Sequence, residues 1–225
     1  MTTDLIRAAL KLNKAIGKFG LGVNSSGNAS VIDRAQRLVA IKPSGLPYDE
    51  ILESDIVVVD LSGKTVHGHR KPSVDLQIHL EFYKQRETCN AVMHTHSTYA
   101  TSFAISGKDI PVCSTLHADY FGAKIPCVPY AHHREKAAAS HMLSRISDDT
   151  KAFLLGRHGA WILGNDEGDC LRNALALEEV AKTSILCMIP LLGMNLLKPF
   201  EPEKTLKLHE KFRDAYGQRV SSTGG

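Results

Sequence analysis

A chain of 225 residues with 43% apolar content can bury one sizeable core, and its 27 basic and 24 acidic side chains leave a net charge of +3 with no long run of either sign. That balance excludes a nucleic-acid patch or a polybasic membrane anchor, so a small molecule is the expected partner. The five cysteines, Cys89, Cys113, Cys127, Cys170 and Cys187, are scattered and never form a Cys-x-x-Cys pair, which predicts free thiols in a reducing, cytoplasmic compartment.

Met1-Thr2-Thr3-Asp4 carries no basic segment followed by an apolar one, so no signal peptide is expected. From Thr3 to Phe19, the apolar residues Leu5, Ala9, Leu12, Ile16 and Phe19 recur at helical spacing and predict an amphipathic helix that stops at Gly20-Leu21-Gly22. The small polar cluster Ser25-Ser26-Gly27-Asn28-Ala29-Ser30 fits an ordinary turn, and it also bares backbone N–H groups and Asn28 to an anion. Asp33 to Arg37 reads as a hairpin tip and Leu38 to Ile41 as a buried strand. In Lys42-Pro43-Ser44-Gly45, proline sets a turn, glycine permits close approach, and Lys42 and Ser44 offer a charge and a hydroxyl. A strand-ending turn and a second anion contact fit this segment equally. Ile56 to Asp60 and Thr65 to His67 flank a glycine-containing hairpin turn. The pair His67-Gly68-His69 lies among Lys64, Arg70 and Lys71, whose charge disfavours a cation, and reads as a solvated loop.

Pro72-Ser73-Val74-Asp75 opens a predicted helix that runs to about Arg86. Ser73 can serve as its N-cap and Asp75 can complement the dipole, while the same N–H groups and Ser73 can hold a phosphate. Ala91-Val92-Met93-His94-Thr95-His96-Ser97 is a short apolar run that ends in two histidines. As a strand it presents His94 and His96 to one face, which suits a metal, although a packed pair has the same pattern. A short helix is predicted from Tyr99 to Ile105, a turn at Ser106 to Asp109, an extended run from Ile125 to Tyr130 and a helix from Arg134 to Ile146. The buried strand Ala152 to Leu155 delivers the tight corner Gly156-Arg157-His158-Gly159, and Trp161 to Leu163 leaves it. Between glycines, His158 is more open to a ligand than a core histidine would be. Asp166 to Leu191 reads as a long apolar helix stopped by Pro190, and its greasy end is too short to span a bilayer. A helix from Glu203 to Tyr216 of the kind that docks on a neighbour comes next, and residues 221–225 are expected to be a disordered tail. One domain over residues 1–220 accounts for the whole.

Gly27-Asn28-Ala29-Ser30, Lys42-Pro43-Ser44-Gly45, Pro72-Ser73-Val74-Asp75, His94-Thr95-His96-Ser97 and Gly156-Arg157-His158-Gly159 together resemble, in order and spacing, the class II aldolase/adducin family. The resemblance covers nearly the whole chain. It implies an α/β fold with a central, mainly antiparallel sheet flanked by helices on both sides. Within the family the likeness is strongest to the L-ribulose-5-phosphate 4-epimerase branch. Asp75 stands where the aldolases have glutamate, His117-Ala118-Asp119-Tyr120-Phe121 resembles the segment with a catalytic aspartate, and Ala215-Tyr216-Gly217-Gln218 resembles the epimerase C-terminus. Val74 departs from the Ser-Ser-Asp pattern and removes a hydroxyl expected near the phosphate, worth about 1.5–3 kcal/mol.

The resemblance implies a divalent metal, zinc or else manganese, on His94, His96 and His158, with Asp75 completing or flanking its shell. It implies a sugar phosphate held by Gly27, Asn28, Lys42, Ser44, Gly45 and Ser73. Asp119 and the Tyr216 of a neighbouring chain are the implied acid/base pair, in a homotetramer with sites at subunit interfaces. The expected reaction is inversion at C4 by cleavage and re-formation of the C3–C4 bond. A sugar-phosphate aldolase and, from another class, a non-catalytic adducin-like binding protein are the alternatives.

Overall fold

Two apolar faces on one sheet decide the architecture. The fold is described from a computed structural model that covers residues 2–130, 138–188 and 199–215. Helix α1 (Thr2–Lys18) precedes four strands, β1 (Asn28–Asp33), β2 (Leu38–Ile41), β3 (Val57–Asp60) and β4 (Thr65–His67). Next come α2 (Leu76–Gln85), β5 (Ala91–Thr95), α3 (Thr98–Ser106), α4 (Thr115–Phe121) and β6 (Cys127–Val128). The remainder is α5 (Ala138–Leu143), β7 (Ala152–Leu155), β8 (Gly159–Gly164), α6 (Glu167–Met188) and α7 (Pro202–Ala215).

The strands form a single eight-stranded sheet in the order β4-β3-β2-β1-β5-β8-β7-β6. Every pairing is antiparallel except β6 with β7. Because side chains alternate along a strand, the buried strands feed two cores, while edge strand β4 is exposed throughout. Ala29, Val31, Ala91, Met93 and Ile162 pack with Leu5, Leu12 and Ile16 of α1, Phe103 of α3 and Leu177 of α6. Ile32, Val39, Val92, Phe153 and Trp161 pack on the other face with Ile78, Phe82 and Tyr83 of α2 and Met142 of α5. The expected α/β domain with helices on both faces is therefore the one observed.

Local differences have local causes. Helix α1 ends at Lys18, and Phe19, expected on its apolar face, falls beyond it and is exposed. Thr115–Phe121, for which no helix was predicted, forms α4 because Ser114 caps it by accepting from the His117 N–H at 3.2 Å, and Gly122 closes it in the left-handed region. Ser73 does not cap α2. The helix starts at Leu76, and the Ser73 hydroxyl instead accepts from the Asp75 N–H at 3.3 Å. His67 and His69 are exposed, as a solvated loop requires. Pro190, residues 131–137, Tyr216 and the tail at 221–225 lie outside the described residues. Among the described residues no helix is long and apolar enough to cross a membrane, and all five cysteines are free thiols.

One buried side chain ties α1 to the sheet. β2 runs out opposite Ser30, and at the next residue Asn13 takes over as a surrogate strand. Its amide donates to the Ala9 and Ala29 carbonyls at 2.8 and 2.9 Å and accepts from the Ala29 N–H at 2.7 Å. Asn13→Ala strands a buried N–H and a buried carbonyl and is expected to cost about 2–4 kcal/mol in urea unfolding. A loss below about 0.5 kcal/mol would show that solvent reaches the gap.

Candidate metal centre and anion cleft

Three strands converge where the chemistry sits. In β5, His94 lies in register with Asn28 of β1 on one side and with Trp161 of β8 on the other. His96 follows the end of β5, and its backbone N–H donates to the Leu21 carbonyl at 3.1 Å. Its direction is fixed downstream, because Glu178 of α6 accepts from the Tyr99 and Ala100 N–H groups at the start of α3 at 2.9 and 3.0 Å. His158 sits in the β7–β8 turn beside Arg157, which adopts φ 61°. The turn is pinned by Arg157 N–H donating to the Ala104 carbonyl at 2.8 Å.

The close approach depends on glycine. A Cβ at Gly159 would lie 2.4 Å from the Thr95 carbonyl oxygen and 3.4 Å from both His94 and His96 rings. At Gly27, with φ +83°, a Cβ would meet the His94 carbonyl oxygen at 2.6 Å.

One imidazole nitrogen from each of His94, His96 and His158 lies within 4.8 Å of the other two. His94 Nδ1–H donates to the Ala160 carbonyl at 2.9 Å, so its Nε2 carries the lone pair, which lies 3.0 Å from His158 Nε2. A ring nitrogen anchored on a backbone carbonyl is the usual support of a metal-ligating histidine. Burial pushes the His94 imidazole down to about 3, with Asp75 opposing the shift and His96 and His158 adding to it. Burial also lowers His96, against the pull of Asp75 and a hydrogen bond to the His158 backbone. Neutral, converging imidazoles are the donor set that zinc, manganese and similar divalent ions accept. Trp161, the only tryptophan in the chain, stacks on His94 with ring centroids 4.5 Å apart.

Around this cluster lies a cleft of about 190 Å³. Gly27, Asn28, Lys42, Ser44, Gly45, Ser73 and Asp75 line it together with the three histidines, so ten of the twelve expected site residues meet in one place. Asp75 is the one carboxylate of the lining, and its Oδ2 accepts from Asn28 Nδ2 at 2.7 Å. Lys42 is the one ammonium. It lies 1% exposed with Nζ 3.3 Å from the Ser25 and Pro43 carbonyls and 5.4 Å from the centre of the Tyr48 ring. Burial pushes it down to about 8. Val74 also lines the cleft and is exposed, where the expected hydroxyl is missing.

Two expected residues are not in this group. Asp119 is half-buried on α4, away from the cleft lining, and its backbone carbonyl accepts from the His209 ring on α7 at 2.8 Å. Tyr216 lies outside the described residues. Conversely, Ser25, Ser26 and Pro43 join the lining, and His79 and Trp161 buttress it from the core. The first three adjoin motifs already legible in the sequence, whereas nothing local marks the last two.

Comparison with known proteins agrees with this geometry. A model of the class II aldolase and adducin N-terminal domain matches residues 7–185. The structure of an L-fuculose 1-phosphate aldolase is 32% identical, with a TM-score of 0.80 over 93% of this chain and 96% of that one. YgbL from Escherichia coli is 25% identical, with a TM-score of 0.78 over 92% of this chain and 98% of its own. An aldolase II superfamily protein from Pseudomonas syringae shares the fold, with a TM-score of 0.83 over 94% of this chain and 85% of its own at 18% identity.

Buried neutral histidines make the fold acid-sensitive. Burial pushes His79 and His117 down to about 4 and His94 to about 3, against about 6.5 in an unfolded chain. The unfolded state therefore binds protons first as pH falls, so stability is intact above about 6.5 and declines from there toward 4. In metal-free protein the urea midpoint is expected to be level between pH 7 and 8. Below 6.5 the midpoint should fall as the unfolding free energy drops with a limiting slope of about three protons, or ~4 kcal/mol per pH unit. A midpoint unchanged down to pH 5 would contradict the burial of these rings.

Proposed function

Because the chain belongs to the class II aldolase and adducin family, we propose that it cleaves the C3–C4 bond of a phosphorylated ketose by a divalent-metal-dependent retro-aldol reaction and releases the aldehyde. The observation that carries this reading is the meeting of three converging imidazoles, one carboxylate and one ammonium in a single small cleft. Identity of 32% with an L-fuculose 1-phosphate aldolase over 93% of the chain supports aldehyde release, although the sequence motifs rank the epimerase first.

His94, His96 and His158 would hold the ion, zinc being the first choice for this donor set, with Asp75 completing or flanking its shell. When bound, the ion supplies a Lewis acid that takes up negative charge developing at the ketose carbonyl. The phosphate rests against Gly27, Asn28, Ser44, Gly45 and Ser73, with the Lys42 ammonium beneath it. Asp119 and Tyr216 of a neighbouring copy exchange the proton at the C4 oxygen, which makes a homotetramer the active form. The electron pair of the C3–C4 bond stays with the C3 fragment, C4 departs as the aldehyde, and C3 takes up the proton that left the C4 oxygen, so that every acid/base group ends in its starting state.

The epimerase outcome retains one observation in its favour, the aspartate at position 75, held short by Asn28. A non-catalytic adducin-like role is disfavoured by the retention of all three histidines in converging positions.

Purified protein supplied with Zn²⁺ or Mn²⁺ is expected to release free aldehyde from L-fuculose 1-phosphate or L-ribulose 5-phosphate. Xylulose 5-phosphate formed without free aldehyde would replace the aldolase reading with the epimerase one, and protein with neither metal nor turnover would restore the binding-protein reading. Lys42 supplies a second test through its pH dependence. The ammonium is charged below about 8 and neutral above, so KM for the phosphorylated substrate is expected to rise as pH passes through that value, while Lys42→Met is weak at every pH. An equal rise in both proteins would exclude Lys42 as the anion contact.

A further inference from the structure

Behind Asp75 runs a buried chain of hydrogen bonds that no motif announces. Asn28 Nδ2 donates to Asp75 Oδ2 at 2.7 Å, and Asn28 Oδ1 lies 2.6 Å from His79 Nε2. His79 Nδ1 lies 2.7 Å from Ser30 Oγ, which in turn lies 2.7 Å from the Tyr83 hydroxyl. All five residues are buried, with His79 and Ser30 fully so.

The chain has one internally consistent sense. A carboxylate accepts only, so the Asn28 amide must turn its NH₂ to Asp75 and its oxygen to His79. His79 Nε2 must then carry the proton. In a neutral ring Nδ1 is then an acceptor and takes the Ser30 hydroxyl proton at 2.7 Å. Ser30 can then only accept from Tyr83. The ring of His79 is braced edge-on against Trp161 at 5.3 Å, and Trp161 is the residue that stacks on His94.

Stability alone does not call for such an arrangement, since apolar side chains of the same shape would fill this face of the sheet with little loss. An asparagine amide rotated by half a turn would put its oxygen against Asp75 and repel the carboxylate. We propose that His79, with Ser30 behind it, is a positioning residue: its Nε2–H fixes the Asn28 amide and thereby the direction in which Asp75 faces the three histidines. This rests on the reading of Asp75 as the working carboxylate of the cleft.

The test compares His79→Leu, which removes both ring nitrogens, with His79→Gln, whose amide N–H reaches the place of Nε2–H, and with Ser30→Ala, a small change that β1 tolerates. Turnover of whichever ketose phosphate the wild type cleaves is expected to fall about 10- to 100-fold in His79→Leu with KM within about threefold, as for other residues that orient a metal-site group. His79→Gln is expected to recover most of the loss, and Ser30→Ala to lose about three- to tenfold. Should His79→Leu fail to fold, the other two variants still decide. Wild-type turnover in His79→Leu, or a His79→Gln or Ser30→Ala with turnover outside those expectations, overturns the proposal.

The tautomer is read independently of activity by long-range ¹H–¹⁵N correlation, which is expected to show the Nε2–H form of His79; the Nδ1–H form would overturn the proposal. Quenching of Trp161 emission by Co²⁺ reports metal binding separately. Protein with the expected tautomer but no quenching and no turnover would therefore sink the functional reading and leave the orientation of Asn28 standing.

Discussion

Everything at the site depends on one row of the sheet, in which Asn28, His94 and Trp161 stand side by side across β1, β5 and β8. Antiparallel pairing fixes this row, since a slip of one residue would turn His94 into the opposite core and carry Asn28 and Trp161 out of line with it. The three residues then divide the work. Asn28 meets the carboxylate, His94 offers its lone pair to the cleft, and Trp161 backs the ring from the apolar side.

Around the row, backbone carries much of the precision. Glycine at 159 and at 27 lets two chains pass within contact of the histidine strand, and a carbonyl at Ala160 holds the His94 tautomer. Glu178 caps α3 and so governs how the chain leaves His96. These contacts come from β8, α6 and the loops beside β1, segments that lie far apart in the sequence.

Charge in the cleft is sparse and opposed. Burial favours the neutral form of His94 and His96, and it weakens the hold of Lys42 on its proton. One ammonium and one carboxylate on the same small lining give the cleft polarity. The same burial makes the molecule sensitive to acid, because imidazoles held neutral in the folded chain, His79 and His117 as well as His94, protonate on unfolding.

The sequence by itself determined the alternation that builds the sheet, the strands at Leu38–Ile41 and Ala152–Leu155 to the residue, and the histidines and glycines that meet at the cleft. Those features rest on period and on turn chemistry, which act within a few residues. Helix α4, visible only through its Ser114 cap, and the refusal of Ser73 to cap α2 depended on competition between nearby acceptors, which composition does not rank. The buttress of His79, Ser30 and Tyr83 was invisible for a different reason: its partners lie on α2 and β1, some fifty residues apart, and nothing in either segment says which faces the sheet will bring together. Tertiary structure decided that, because burial on both sides of one strand leaves a polar group no partner except whatever the neighbouring element presents.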